Sequence, residues 1–337
     1  MKYDYELLIR LYELHSPSRR EKKMRKLLRQ LCILRGATVE TDGHGNLFVT
    51  KGKADTYPCI CAHMDQVQNQ HSRDFTVLKV DDVIMAYSPK SMSQQGLGAD
   101  DKNGLWIALE LLRIRKVLKC AFFVGEEIGC VGSSRCDLDF FSDVRYIVQP
   151  DRRNGGDLIT SISGRICSEE FEQAVNAEAF GYSPCDGLST DVGTLSHRGV
   201  GVSCINISCG YYHPHTDQEC TKWSELCQAL EFARSICKLK KTYKHEYELR
   251  PETCSYEHCW GIWHGYGKIY RQSYESIEQS RLSNIIAHIL QYEPHLEFEE
   301  MCLNYPHLFD GQDVDVVRSL FKTESEKIRK KILEDKT

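Results

Sequence analysis

GLGADDKNGLWIALELLRIRKVLKCAFFVGEE, residues 96–127, holds the reading on which the fold turns. Two adjacent carboxylates, Asp100 and Asp101, sit between glycines and lead into a run where Leu105, Ala108, Leu109 and Leu112 recur at threes and fours. That spacing predicts a helix over 102–118 with one apolar stripe laid on a sheet. A strand-like apolar run at 119–124 follows and empties into Glu126 and Glu127, again flanked by glycines. Acidic turn, helix, buried strand and acidic turn is the grammar of an α/β protein that keeps polar groups where the chain leaves its strands.

The same alternation extends on both sides. Strands are expected at 37–41, 46–51, 57–62, 144–149 and 201–207, and helices at 168–180 and 221–239. Upstream, Leu7, Leu8, Leu11 and Leu14, then Met24, Leu27, Leu28 and Leu31, predict two helices within 4–35, interrupted at Ser16-Pro17-Ser18. The expected architecture is therefore an α/β sandwich, a mixed and largely parallel sheet between helices. Past residue 240 strand runs disappear, Tyr, His, Trp and Glu become dense, and 276–292 and 311–334 read as helical. The chain is accordingly divided into a main α/β domain, 1–240, and a helical C-terminal extension, 241–337, whose role is unassigned.

A chain of 337 residues, 41% hydrophobic and 27% charged, can bury one large core. Its net charge of -5 gives no general attraction to nucleic acid or anionic membrane. The first residues lack the apolar stretch of a secretory signal, and no apolar run is long enough to cross a bilayer. Sixteen cysteines spread over such a chain read as reduced thiols, so a cytoplasmic setting is expected. Cys59 and Cys61, alternating with Ile60, read as small buried hydrophobes rather than ligands.

Four segments place acids or histidines at the exits of strands. CICAHMD (59–65) ends in His63 with Asp65 two residues on, either an incidental pair or a metal-binding imidazole with its carboxylate partner. Asp100 and Asp101 either cap the following helix or hold a cation, and the two roles can coexist. Glu126 and Glu127 form either a surface acidic turn or a pair that divides labour, one binding metal and one moving protons. RYIVQPD (145–151) ends at Asp151, and GYYHPHTDQE (210–219) supplies His213 and His215, of which alternation lets one point inward. Oxygen and imidazole donors without thiolates suit zinc, manganese or cobalt, and a bridging carboxylate suits two divalent ions.

With these motifs in hand the chain resembles the co-catalytic zinc exopeptidase superfamily of the M20, M28 and M42 metallopeptidases. The resemblance runs through SPSRREKKM, TDGHGNLFVTKG, AHMDQV, GLGADDKNG, VGEEIGCVGS, QPD and STDVGTLSHRGVGVSCINISCGYYHPHT, in the family's order, over roughly residues 5–240. It implies that His63, Asp100 and Asp151 hold one metal and that Asp100, Glu127 and His215 hold the other, with Asp100 bridging. It further implies that Asp65 orients His63, that Glu126 is the general base and acid, and that the Asp100–Asp101 peptide is cis. The His63 to Asp100 interval is too short for the β domain some relatives insert there, and Asp151 to His215 is too short for a lid domain. The arrangement looks like a compact, lidless member.

The implied function is two-metal hydrolysis of a peptide bond in a peptide or small amide substrate, with Glu126 deprotonating the attacking water and N-terminal residues released. An N-acyl amino acid deacylase is the alternative within hydrolases, and a non-catalytic binding protein the alternative outside them. Asp191 either steadies the site or makes a turn, and Gly210-Tyr211-Tyr212 either lines a pocket or packs. Cys254, His258, Cys259 and His264 do not match a zinc-site spacing well and read as packing residues. Oligomeric state is left open.

Overall fold

Seven consecutive buried residues make Tyr57–His63 a strand with both faces covered, and the chain around it shows why. In the computed structural model, which describes residues 3–249 and 314–334 with a few isolated positions between them, helices α1 (Tyr5–Glu13) and α2 (Lys22–Leu34) lead in. Asp4 starts α1 by accepting the Leu7 amide at 2.9 Å. Strands β1 (Ala37–Thr41), β2 (Leu47–Lys51) and β3 (Tyr57–His63) follow. Then come β4 (Thr76–Val80), β5 (Val83–Ser88) and β6 (Ser93–Gln95), helix α3 (Ala99–Ile114) and β7 (Leu118–Phe123). Next are α4 (Val131–Arg135), β8 (Val144–Arg152), β9 (Asp157–Ser161), β10 (Gly164–Arg165), α5 (Glu169–Val175) and β11 (Ser183–Asp186). Helix α6 (Asp191–His197), β12 (Cys204–Ser208), β13 (Tyr211–Tyr212), β14 (Cys220–Lys222), α7 (Trp223–Ile236) and β15 (Glu248–Leu249) complete the run.

The main sheet runs β1-β2-β7-β3-β8-β12-β9-β10-β15, with β11 paired to β9. Its centre is parallel, since β3 pairs in parallel with both β7 and β8, and β12 with β8. The flanks are antiparallel. Side chains alternate across it: Ile60, Ala62 and Phe122 join one core with α1, α2, α3 and α7, while Cys59, Cys61 and Phe123 join the other with α6. Each large apolar side chain buried there contributes about 1.5–3 kcal/mol, and α3 commits Leu105, Trp106, Ile107, Leu109, Leu111 and Leu112, all wholly buried. This is the mixed, largely parallel α/β sandwich expected from sequence. Cys59 and Cys61 are buried packing residues on the face away from α3.

The interval between His63 and Asp100 holds no separate domain, yet it is not featureless. Strands β4, β5 and β6 form a second sheet with β13 and β14, in the order β13-β14-β5-β4 with β6 on β5. The sequence reading places no strands here, nor at β9, β10 and β11. The chain falls into two compact units, 1–265 and 266–337. The division lies beyond the boundary expected near 240 because 241–249 remains attached to the first unit: Val202 bridges Lys244 and β15 pairs with β10. In the second unit, helix α8 (Val314–Glu334) covers most of the helix expected at 311–334. The segment at 276–292, like Cys254, His258, Cys259 and His264, lies almost wholly outside the described residues. Among the described residues no helix is long and apolar enough to cross a membrane.

Candidate metal centre

The central parallel strands deliver their side chains to one end of the sheet. His63 is the last residue of β3, Asp151 lies at the end of β8, Glu126 and Glu127 follow β7, and His215 sits between β13 and β14. Asp100 arrives from the turn ahead of α3. There the backbone is non-helical at Asp100 and Asp101, and the peptide between them is cis, as the resemblance implied. The two aspartates divide the roles that sequence left open. Asp101 caps the helix, accepting the Gly104 amide at 2.9 Å and the His63 amide at 3.2 Å. Asp100 turns the other way and meets two imidazoles.

Asp100 Oδ1 lies 3.0 Å from His63 Nε2, and its Oδ2 lies 3.3 Å from His215 Nε2. His63 Nε2 is also 3.4 Å from Asp151 Oδ1, and His215 Nε2 is 3.1 Å from Glu127 Oε2. Two groups result, His63 with Asp100 and Asp151, and Asp100 with Glu127 and His215, each with its donor atoms within 4.8 Å of one another. His215, not the exposed His213, is the histidine that reaches the cluster. Glu126 belongs to neither group, and its Oε2 stands 3.9 Å from His63 Nε2.

Four carboxylates gathered here oppose one another's charge. Burial pushes Asp151, Glu126 and Glu127 above the ordinary carboxylate range, and neighbouring acids push further, Asp100 on Asp151 and Glu127, and Asp151 on Glu126. Burial opposes the charge of Asp100 too, but hydrogen bonds from His215 and His63 hold it below the usual value. Asp100 and then Glu127 push the His215 imidazole up to about 11. The donor set fits a pair of divalent cations. Glu127 Oε1 is buried without a hydrogen-bond partner, the oxygens and imidazole nitrogens are those zinc accepts, and each oxygen of Asp100 faces a different group.

The support of this cluster is where sequence reasoning fell short. Asp65 was expected to orient His63, but His63 Nδ1 is nearer the main-chain carbonyl of Asp65, at 3.1 Å, than its carboxylate, at 3.5 Å. The carboxylate accepts the Ser18 hydroxyl at 2.7 Å and the amides of Glu126 and Glu127 at 3.0 and 3.3 Å. It therefore holds the main chain of both glutamates. Asn46 fastens the same loop at its two ends, accepting the Val124 amide at 3.1 Å and donating to the Gly132 carbonyl at 3.1 Å. A Cβ at Gly132 would meet the Val124 carbonyl oxygen at 2.6 Å and the Val124 nitrogen at 2.8 Å, so the loop closes this tightly only on glycine. Gln149, two residues before Asp151 on the same face of β8, donates to Asp151 Oδ2 at 2.9 Å and accepts the Val192 amide at 2.9 Å. Asp191 is wholly buried as the first residue of α6, where it accepts the Ser133 hydroxyl at 2.5 Å and the Gln149 side-chain amide at 3.4 Å. Tyr211 packs, with its hydroxyl 3.1 Å from the Asp151 carbonyl, and Tyr212 donates to Glu225.

No family model and no curated protein matches this sequence. Solved structures do match its fold. Aminopeptidase PepT of Bacillus cereus is similar over 69% of this chain and 96% of its own, at 16% identity and a TM-score of 0.57. A tripeptidase of Staphylococcus aureus matches 68% of this chain and 96% of its own, at 15% identity and a TM-score of 0.56. An aminopeptidase of the archaeon Desulfurococcus kamchatkensis matches 70% and 95%, at 16% identity and a TM-score of 0.53. Over about two thirds of its length this chain thus has the fold of these structures, a mixed, largely parallel sheet flanked by helices, as the zinc-exopeptidase resemblance implied.

Proposed function

We propose that this chain is a metallo-exopeptidase holding two divalent ions, zinc first among them with cobalt or manganese as alternatives, and that it releases N-terminal residues from short peptides. The observation that carries the reading is the pair of ligand groups sharing Asp100, one oxygen to each, with an unshared glutamate beside them. His63, Asp100 and Asp151 would hold one ion, and Asp100, Glu127 and His215 the other. When bound, such a pair supplies Lewis acidity to a carbonyl and to water. Glu126 supplies the proton chemistry. Its raised affinity for a proton, caused by burial and then by Asp151 and Asp191, suits a group that takes a proton from water and returns it to the leaving amine. Asp65 fixes the main chain of both glutamates, so base and ligand keep their separation. The aminopeptidase direction draws on the similar structures, two of them aminopeptidases and one a tripeptidase. The buried free thiols of Cys32, Cys59, Cys61 and Cys120 agree with a reducing, cytoplasmic setting.

The test is metal analysis of the purified protein joined to a substrate panel of amino-acid anilides, tripeptides and N-acyl amino acids. Two ions per chain and cleavage of substrates with a free N-terminus are expected. An active protein with a single ion or none removes the shared-carboxylate reading. Turnover confined to N-acyl amino acids makes the protein a deacylase, and two bound ions without hydrolysis make it a binding protein.

A further inference from the structure

Glu219 is wholly buried and belongs to none of the groups above. It stands four residues after His215, at the end of an otherwise exposed loop, just ahead of β14. Its carboxylate makes three hydrogen bonds to a distant part of the chain. Oε2 accepts the Gly98 amide at 2.6 Å and the Gln68 side-chain amide at 3.1 Å, and Oε1 accepts the Asp100 amide at 3.1 Å. Asp217, on the same loop, accepts the Gly96 amide at 3.4 Å. The segment that carries His215 is thereby tied at two points to the turn that carries Asp100.

A buried carboxylate costs several kcal/mol unless its lone pairs are used. Here they are used on the main-chain amides of Gly98 and of Asp100 itself and on the Gln68 side chain, and no lysine or arginine hydrogen-bonds to them. His215 needs such a hold: its side chain is half exposed, its backbone is left-handed at φ 65°, and 115 residues separate it from Asp100. Resting on the two-ion reading above, we infer that Glu219 is a positioning residue that sets the spacing between His215 and Asp100. It acts on the ion held by Asp100, Glu127 and His215 more than on the ion held by His63, Asp100 and Asp151.

Replacing Glu219 by Gln keeps the volume but leaves an NH2 group facing an amide N–H. Zinc titration of the metal-free protein, followed calorimetrically with a competing chelator, reads both affinities. Glu219→Gln is expected to weaken one ion by the about 10- to 100-fold typical of lost ligand support, leaving the other little changed. A purely structural role would lower the melting temperature of the metal-free protein and weaken both ions together. Thr221→Val supplies that comparison, because Thr221 is buried two residues further on and bonds Tyr12 and Asn103 instead of the ligand turn. Unchanged affinities in Glu219→Gln overturn the inference, as does the same one-ion weakening in Thr221→Val. If the wild type takes up two ions and Glu219→Gln behaves like it, the inference alone falls. If the wild type takes up fewer than two, the functional reading falls and takes the inference with it.

Discussion

Glu126 and Glu127 are chemically alike and adjacent, yet their surroundings separate them. Glu127 Oε2 faces His215 at 3.1 Å while its other oxygen lacks a hydrogen-bond partner, as suits a cation ligand. Glu126 is held by a weak contact, 3.6 Å from the Cys130 thiol, and stays outside both ligand groups. Glu126→Gln removes the proposed proton carrier while preserving shape. It is expected to bind both ions as the wild type does and to turn over about 10²- to 10⁴-fold more slowly, the effect of losing a positioned general base. Metal content and kcat measured on one preparation check this, and full activity in the variant would remove the role. These glutamates were legible from sequence because charge directly after an apolar strand is anomalous. Gln149, Asn46 and Glu219 were not, since an amide or acid that bonds main chain 43, 78 or 119 residues away leaves no local pattern.

At the scale of elements, long apolar strands could be read directly, because burial on both faces requires an unbroken apolar run. Helix α3 could be located too, but it was expected at 102–118 with one apolar stripe, whereas it spans Ala99–Ile114 and every residue from Ala99 to Leu112 is buried. Strands β4 and β6 could not, being short and largely uncovered, with β4 the outer strand of the small sheet. The segment joining β3 to β4 is organised instead by aromatic stacking. The His71 ring lies 4.0 Å from that of Phe75 and 4.1 Å from that of His15. Burial, then the charges of Lys102 and His15, push the His71 imidazole down to about 3. Above pH about 6.5 the ring is neutral in both folded and unfolded chains, so it adds no pH dependence. As the pH falls below that value the unfolded chain takes up a proton that the folded one refuses, and stability declines toward pH 3. His71→Phe keeps the stack and removes the titration. Melting of the metal-free proteins between pH about 7 and 4 should show the variant gaining on the wild type as the pH falls. A difference independent of pH would remove His71 from this role.

For the whole molecule, composition alone could not place the end of the first unit, because the change in residue types near 240 precedes the end of its packing. Tyr243 is buried, with its ring 4.9 Å from that of Phe171 and 6.1 Å from that of Tyr146. Its amide donates to the Arg145 carbonyl at 2.9 Å, and its own carbonyl accepts the Ser203 amide at 2.8 Å. Tyr247 adds a hydroxyl bond to the Ile162 carbonyl at 3.2 Å. A chain ending at Leu249 retains all of these, whereas a chain ending at Lys240 loses an aromatic core side chain and exposes the apolar face it covered. The shorter chain should be less stable than the longer by about 3–5 kcal/mol, the usual effect of emptying a large aromatic site. Denaturant unfolding of the two truncated proteins measures the difference. Metal uptake should survive in the longer one, because the proposed ligands end at His215 and the carboxylate that ties their loop, Glu219, also precedes β14.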